Sequence, residues 1–486
     1  MLPEEDFCAS IHRDDSTTLS EQLLPISEKM ESKTGVYTME EGDESMVARA
    51  WLTEYAESTI DIQYFIYSTD NIGLIATDYL LRAADRGVKV RILVDDIMVD
   101  ALVEDLLILD AHENLSIKIY NPNINLGKNI FTKLASAGSN FAGINQRMHN
   151  KTFTVDGKVV ITGGRNIADE YFDYDHEYNF RDRDVLLVGG VSNEIQESFN
   201  TFWGHDLSVE LEQLADPNDY ELSIDTTYLW LHQYACNPDN FWPQVREKIS
   251  QVPLAFKNIS ASGKFQWVDS VEYVSDIPGK NDGSKGLWGG GATTDKLLDL
   301  VKNAKKSISI QTPYLVTTEL SHELFRAATQ RGVEVKILTN SLASTDNLEA
   351  FNGYMRDRIT LLETGVQIFE FKPDAEVRYN VMTGALQDSI GFSPIFGLHA
   401  KSMVIDQKTA IIGTFNLDPR SANLNTECIT IIHSDKIAKD LYETMEIDFK
   451  TENSWETTLE FNPDKEASLD KQRKVRTRNL VPKSIL

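Results

Sequence analysis

The chain repeats itself, and that repeat limits its fold more than any other feature. His149, Lys151 and Asp156 stand at H-x-K-x-x-x-x-D spacing in "MHNKTFTVDGKVVITGGRN". His399, Lys401 and Asp406 stand at the same spacing in "LHAKSMVIDQKTAIIGTFN", 250 residues later, and Asn166 and Asn416 are also 250 residues apart. The flanks repeat too. "RAADRGVKVRIL" from Arg82 matches "RAATQRGVEVKIL" from Arg326 with one inserted residue, and "NLSIKIYNP" from Asn114 parallels "GVQIFEFKP" from Gly365. Self-similarity of this kind marks a duplicated unit.

Each unit reads as strand, helix, strand. Ile60, Ile62, Tyr64 and Ile66 alternate as in a strand, while Leu74, Tyr79, Leu80 and Ala84 recur at helical spacing. Gly87 ends the helix, and "VKVRILV" is the next strand. Such units favour parallel or mixed sheets with helices on both faces. The expected fold is therefore α/β, with two tandem α/β/α repeats carrying mixed sheets and an active site between the halves. The division is an N-terminal extension over 1–35, a first repeat over 36–205, a linker and irregular cap over 206–289, a second repeat over 290–450 and a tail over 451–486. The tryptophans of the middle region (Trp230, Trp242, Trp267, Trp288) are expected in a core. The basic tail is expected to be solvated, with at most a weak attraction to an anionic membrane.

Composition narrows the function. The formal net charge is -28 over 486 residues. Such a surface repels polyanions at long range, so general nucleic-acid binding is not expected. Three scattered cysteines, Cys8, Cys236 and Cys428, make neither a disulfide framework nor a zinc knuckle. No apolar run is long enough to span a bilayer. The stretch "MLPEEDFCAS" lacks the basic and apolar regions of a signal peptide. "INLGKNIFTKLASAGSNFAGINQ", Ile124 to Gln146, mixes Phe, Leu, Ile and Lys just before His149 and is a candidate loop or amphipathic helix at the pocket mouth.

The chemistry follows from the motif. In "HNKTFTVD" alternation sends His149 and Lys151 to one side of a strand. Glycines after the second strand let backbone approach a ligand closely. One such segment is half a site; two facing segments supply two imidazoles, two ammonium groups and two amides. Lys151, Lys401, Asn166 and Asn416, with the Thr414 hydroxyl, suit the non-bridging oxygens of a phosphate. His149 and His399 suit in-line displacement, one attacking and one protonating the leaving oxygen. No carboxylate cluster of the kind that holds magnesium or calcium accompanies them, so neither metal nor other cofactor is expected. A nucleophilic imidazole needs its other nitrogen held by an acceptor. Asp184 and Glu427, each just ahead of an apolar strand, are the candidates, with Asp182 and Glu177 competing in the first half. Asp156 and Asp406 lie beyond the turn and are expected to organise the loop.

A paired H-x-K-x-x-x-x-D motif resembles the phospholipase D superfamily, over nearly the whole chain from Val36 to Phe449. "IDIQYFIY", "RMHNKTFTVDGK", "GGRNIADEYF" and "GTFNLDPRSANLNTE" most resemble the bacterial cardiolipin synthase C-type branch. The resemblance implies a phosphatidyltransferase acting on phospholipid phosphodiesters through a phosphohistidine, with His149 as nucleophile and His399 as acid and base. It departs from the superfamily where Gly164 and Arg165 replace a hydroxyl residue that Thr414 keeps. The alternatives are a phospholipase D-type hydrolase using water and, less favoured by the charge, a nuclease of the same superfamily. The implied partners are phospholipids and a bacterial membrane surface, met peripherally from a side left open; no nucleic acid and no obligate protein partner is expected. "LPEEDFCAS" resembles the start of mature, exported relatives whose leader has been removed.

Overall fold

The computed structural model describes residues 7, 16–96, 101–122, 145–281, 286–382 and 394–486. In the first repeat, strands Thr59–Tyr64, Lys89–Asp95 and Leu115–Tyr120 are parallel neighbours. Helices Asn71–Asp85 and Val103–Asp110 lie between them in sequence, as parallel crossovers require. Strands Thr152–Val155, Val159–Gly163, Asp184–Gly189 and Thr34–Met39 continue the sheet antiparallel. The second repeat follows the same plan. Ser307–Gln311, Glu334–Asn340 and Gln367–Phe371 are parallel; Ser402–Ile405, Thr409–Gly413 and Cys428–His433 are antiparallel.

Local sequence explains the crossovers. Asp70 caps helix Asn71–Asp85 by accepting from the Gly73 N–H at 3.0 Å. Gly87 terminates it at φ 93°, and Gly332 ends helix Glu319–Gln330 at φ 83°. A side chain at either glycine would have room, so the left-handed backbone is what requires glycine.

Alternation along the strands sorts side chains into separate cores. Val159 and Ile161 face the helices Gly42–Tyr55 and Asn71–Asp85, whereas Val160 faces the opposite repeat. Ile411 faces the outer helices of the second repeat, whereas Ala410 and Ile412 face the first. The two sheets thus share a middle core, completed by Ile195 of helix Ser192–Trp203 and by Leu441 and Met445 of helix Asp435–Asp448. Each fully buried Val, Leu or Ile contributes about 1.5–3 kcal/mol. A core drawn from both repeats therefore holds them in one fixed relation. Across the same interface, Tyr178–Arg181 pairs in parallel with Ile395–Leu398.

Region 206–289 is more regular than expected. Helix Ile224–Cys236 packs on Asn71–Asp85. Strand Gln266–Val268 joins the first sheet beside Thr34–Met39, and Val271–Ser275 joins the second beside Cys428–His433. A linker strand thus closes an edge of each sheet. Trp230 and Trp288, expected in a core, are 48% and 58% exposed. The tail is docked rather than solvated. Ser454–Thr457 pairs with Gln367–Phe371, helix Leu469–Arg476 lies against Leu348–Leu362, and Asn352 Nδ2 donates to the Val475 carbonyl at 3.0 Å. Most of the amphipathic candidate at 124–146 lies outside the described residues. Among the described residues, no helix is long and apolar enough to cross a membrane.

Candidate active site

Each motif strand is tied to the other repeat just where its histidine stands. The His149 N–H donates to the Thr426 carbonyl at 3.0 Å, and the Thr426 N–H to the Arg147 carbonyl at 2.9 Å. In the other copy, the N–H groups of His399 and Ala400 donate to the Arg181 carbonyl at 2.9 and 3.0 Å. Asp95 braces the first motif, accepting from the Met148 N–H at 2.8 Å and from Arg147 Nη1 at 3.1 Å. The residues that follow Thr426 and Arg181 are Glu427 and Asp182, so backbone pairing carries a carboxylate to each imidazole.

His149 Nδ1 lies 2.8 Å from Glu427 Oε2, and His399 Nδ1 lies 2.7 Å from Asp182 Oδ2. All four side chains are buried. An ionised carboxylate only accepts, so each Nδ1 carries the proton and each Nε2 keeps its lone pair. Burial alone would raise both carboxyls. The His149 imidazole and Lys151 outweigh it at Glu427, and His399 and Lys401 outweigh it at Asp182, so both stay below the usual carboxylate range. Asp184 does not take the orienting role expected of it. Its Oδ2 accepts from Ser45 Oγ at 2.7 Å and Arg49 Nη2 at 3.0 Å, inside the first repeat. Strand register shows why. Gly163 pairs with Asp184 where Gly413 pairs with Ile429, which makes Asp182 the counterpart of Glu427.

The glycine at 164 fits the same arrangement. A Cβ there would come within 2.0 Å of Asp182 Oδ1. At the matching position of the second repeat, Thr414 donates its hydroxyl to Glu427 Oε2 at 2.5 Å. Thr414 therefore engages the carboxylate that holds His149. Asn166 Oδ1 accepts from the Ile66 N–H at 3.0 Å. Asn416 is buried, and its Oδ1 has no hydrogen-bond partner among the described residues.

The lysines lie beside their histidines. Lys151 Nζ donates to the His149 carbonyl at 2.8 Å, and Lys401 Nζ to the His399 carbonyl at 2.6 Å. Lys401 Nζ also lies 2.9 and 3.0 Å from the two ring nitrogens of His399. Burial pushes Lys151 down to about 7, with Lys401 adding repulsion against the attraction of Glu427. Burial pushes Lys401 down to about 8, against the attraction of Asp182. The imidazoles fall furthest. Burial takes His149 to about 4 against the pull of Glu427, and burial with Lys401 takes His399 to about 3 against that of Asp182. Each lysine also lowers the other repeat's histidine, so the two imidazoles and two amino groups share one space. Phe65 meets the His149 ring edge-on, and Tyr171 and Phe180 flank His399. Sequence reading missed these aromatics, because nothing in their spacing separates them from core residues. Among the described residues, no group of three or more His, Cys, Asp or Glu could hold a metal ion.

Asp156 and Asp406 stand away from the imidazoles. Asp156 accepts from the N–H groups of Glu57, Ser58 and Thr59 at 3.0, 2.8 and 2.8 Å. Asp406 accepts likewise from those of Lys305, Lys306 and Ser307.

Comparison with known proteins bears on this geometry. Residues 52–203 and 297–449 match the family described as "Cardiolipin synthase, PLD-like domain", once in each repeat. The chain is similar to cardiolipin synthase C of Escherichia coli K12, at 32% identity over 91% of this chain and 90% of that protein. It is also similar to cardiolipin synthase 1 of Bacillus anthracis, at 27% identity over 87% of this chain and 68% of that protein. The crystal structure of phosphatidylserine synthase from Haemophilus influenzae Rd KW20 shares the fold, with a TM-score of 0.56 and 14% identity over 96% of this chain and 100% of that one. Matched in both repeats and aligned nearly end to end with a relative, the chain belongs to the cardiolipin synthase, phospholipase D-like family and is a phosphatidyltransferase-type enzyme of the phospholipase D superfamily.

Proposed function

We propose that the protein transfers a phosphatidyl group from one phospholipid to the alcohol of another, giving cardiolipin-type products. The observation that carries this reading is the pair of buried imidazoles, each held through Nδ1 by a carboxylate of the opposite repeat. His149 Nε2 attacks phosphorus, and the bond to the leaving alcohol oxygen breaks. His399, in its protonated form, gives that oxygen a proton. His399, now neutral, takes the proton of the acceptor hydroxyl, whose oxygen attacks phosphorus and releases His149. Burial holds both imidazoles neutral at pH 7, which suits the nucleophile. A bound phosphodiester anion favours the protonated lysines and the protonated His399 by Coulomb attraction. The contact of Lys401 with the His399 ring favours His149 as nucleophile, because no such lysine contact covers the His149 ring among the described residues. Lys151, Lys401, Asn166 and Asn416 take the non-bridging oxygens. We infer that the enzyme meets its lipids at a bilayer surface as a peripheral protein.

Product analysis tests this. Wild-type protein, His149→Asn and His399→Asn are incubated with phosphatidylglycerol vesicles, and the lipids are read by mass spectrometry. Cardiolipin from the wild type is expected; phosphatidic acid without cardiolipin would make the enzyme a hydrolase, and turnover of DNA instead of lipid would make it a nuclease. General acid–base catalysis contributes about 10²–10⁴-fold, so His399→Asn should slow transfer by that order. With phosphorus-labelled donor, His149→Asn should trap no label and His399→Asn should accumulate it. Label on His149→Asn would reverse the assignment.

A further inference from the structure

The second repeat holds a pocket of about 450 Å³ that the phosphate chemistry does not use. That is within the size of sites that take small molecules, roughly 300–1,000 Å³. Its walls are Leu297 and Val301 of helix Ala292–Asn303, Leu324 and Phe325 of helix Glu319–Gln330, and Phe415 and Leu417 of the site loop. Phe415 and Leu417 flank Asn416, so one loop lines the pocket and supplies a candidate phosphate ligand. A narrower space of about 20 Å³ shares Leu297, Met403, Phe415 and Leu417 with the pocket and is also lined by Lys401. These four side chains thus stand between the pocket and the space beside the motif lysine. Trp288 and Leu320, 58% and 53% exposed, also line the pocket and extend its apolar surface toward solvent. Asp418, buried on the same wall, is driven by burial up to about 7, which fits an apolar setting.

We propose that this pocket holds one acyl chain of a phospholipid whose phosphate lies at Lys401. The proposal rests on the phosphatidyl-transfer reading, since that substrate carries phosphate and acyl chain together. A linear chain suits a pocket that is apolar along three walls and shares its loop, Phe415 to Leu417, with the catalytic site. Burial of one methylene is worth about fourfold in binding.

Two measurements test it. The first is transfer from monomeric phosphatidylglycerols of six-, seven- and eight-carbon chains, each below its micelle concentration. For the wild type, kcat/KM should rise roughly fourfold for each methylene that enters the pocket. Leu324→Trp, which fills the pocket, should flatten that rise while melting as a folded protein; Leu298→Phe, on the facing helix, serves if Leu324→Trp does not fold. An equal rise in wild type and pocket-filled protein overturns the proposal. The second uses His149→Asn and a monomeric phosphatidylglycerol with brominated chains. Tryptophan fluorescence should be quenched, and the quenching should be lost with Trp288→Phe; quenching that survives Trp288→Phe overturns the proposal. If the wild type transfers no lipid but Trp288-dependent quenching persists, the chemistry assigned above fails and the acyl pocket stands.

Discussion

Asp182 and Asp184 are two positions apart and act in different surroundings. Asp184 starts a strand and meets Arg49 and Ser45, while Asp182 precedes it, where the chain leaves its pairing with the second repeat. Sequence placed four carboxylates near the two imidazoles' strands and put Asp184 first in the first-half set, where Asp182 meets the imidazole, because only strand register tells which one faces across the interface. Glu427 was readable, since no other carboxylate stands near it. The two aspartates should separate in experiment. Asp182→Asn and Glu427→Gln keep shape but lose the charge that fixes the imidazole tautomer, and each should lower kcat by about 10²–10⁴-fold. Asp184→Asn leaves Arg49 buried without its counter-charge, and breaking such a pair costs about 3–5 kcal/mol. It should therefore shift urea unfolding far more than it slows the folded enzyme. A fully stable Asp184→Asn protein with kcat lost would return the orienting role to Asp184.

At the scale of elements, the last letter of each motif is a strand-starting device. Asp156 and Asp406 sit at φ 53° and 56°, in the left-handed region that aspartate tolerates better than most residues. Each carboxylate gathers three N–H groups at the start of the neighbouring antiparallel strand, and so aligns the turn with the strand beside it. Burial would raise the Asp406 carboxyl, but the amides of Lys306, Ser307 and Lys305 hold it below its ordinary value. A depressed carboxyl adds stability above its unfolded value near 4, and loses it as pH falls through the carboxylate range. Asp406→Ala should then cost about 1 kcal/mol at pH 7, since water screens the partly exposed carboxylate, with a shallower acid limb in a plot of stability against pH. The folded fraction should keep transfer activity, since Asp406 does not touch an imidazole. Activity lost at full stability would instead place Asp406 in the chemistry.

At the scale of the molecule, the two repeats form one site and neither forms it alone. His149 takes its carboxylate from the second repeat and His399 from the first. If one chain makes the whole site, an equimolar mixture of His149→Asn and His399→Asn should recover no transfer; recovery would mean that histidines of different chains can work together. The sequence by itself determined the duplication, the α/β class and the two histidine–lysine pairs. Those depend on spacing, alternation and motif identity, which are local and survive as patterns. Only the tertiary structure decided that Asp182 and not Asp184 meets His399, that Thr414 bonds Glu427, that the 206–289 segment adds strands to both sheets, and that the tail docks on the second repeat. Those contacts join residues far apart in the chain through the register of paired strands and the shape of a shared core. A one-residue shift of register sends a side chain to the opposite face, so that partnership belongs to the fold.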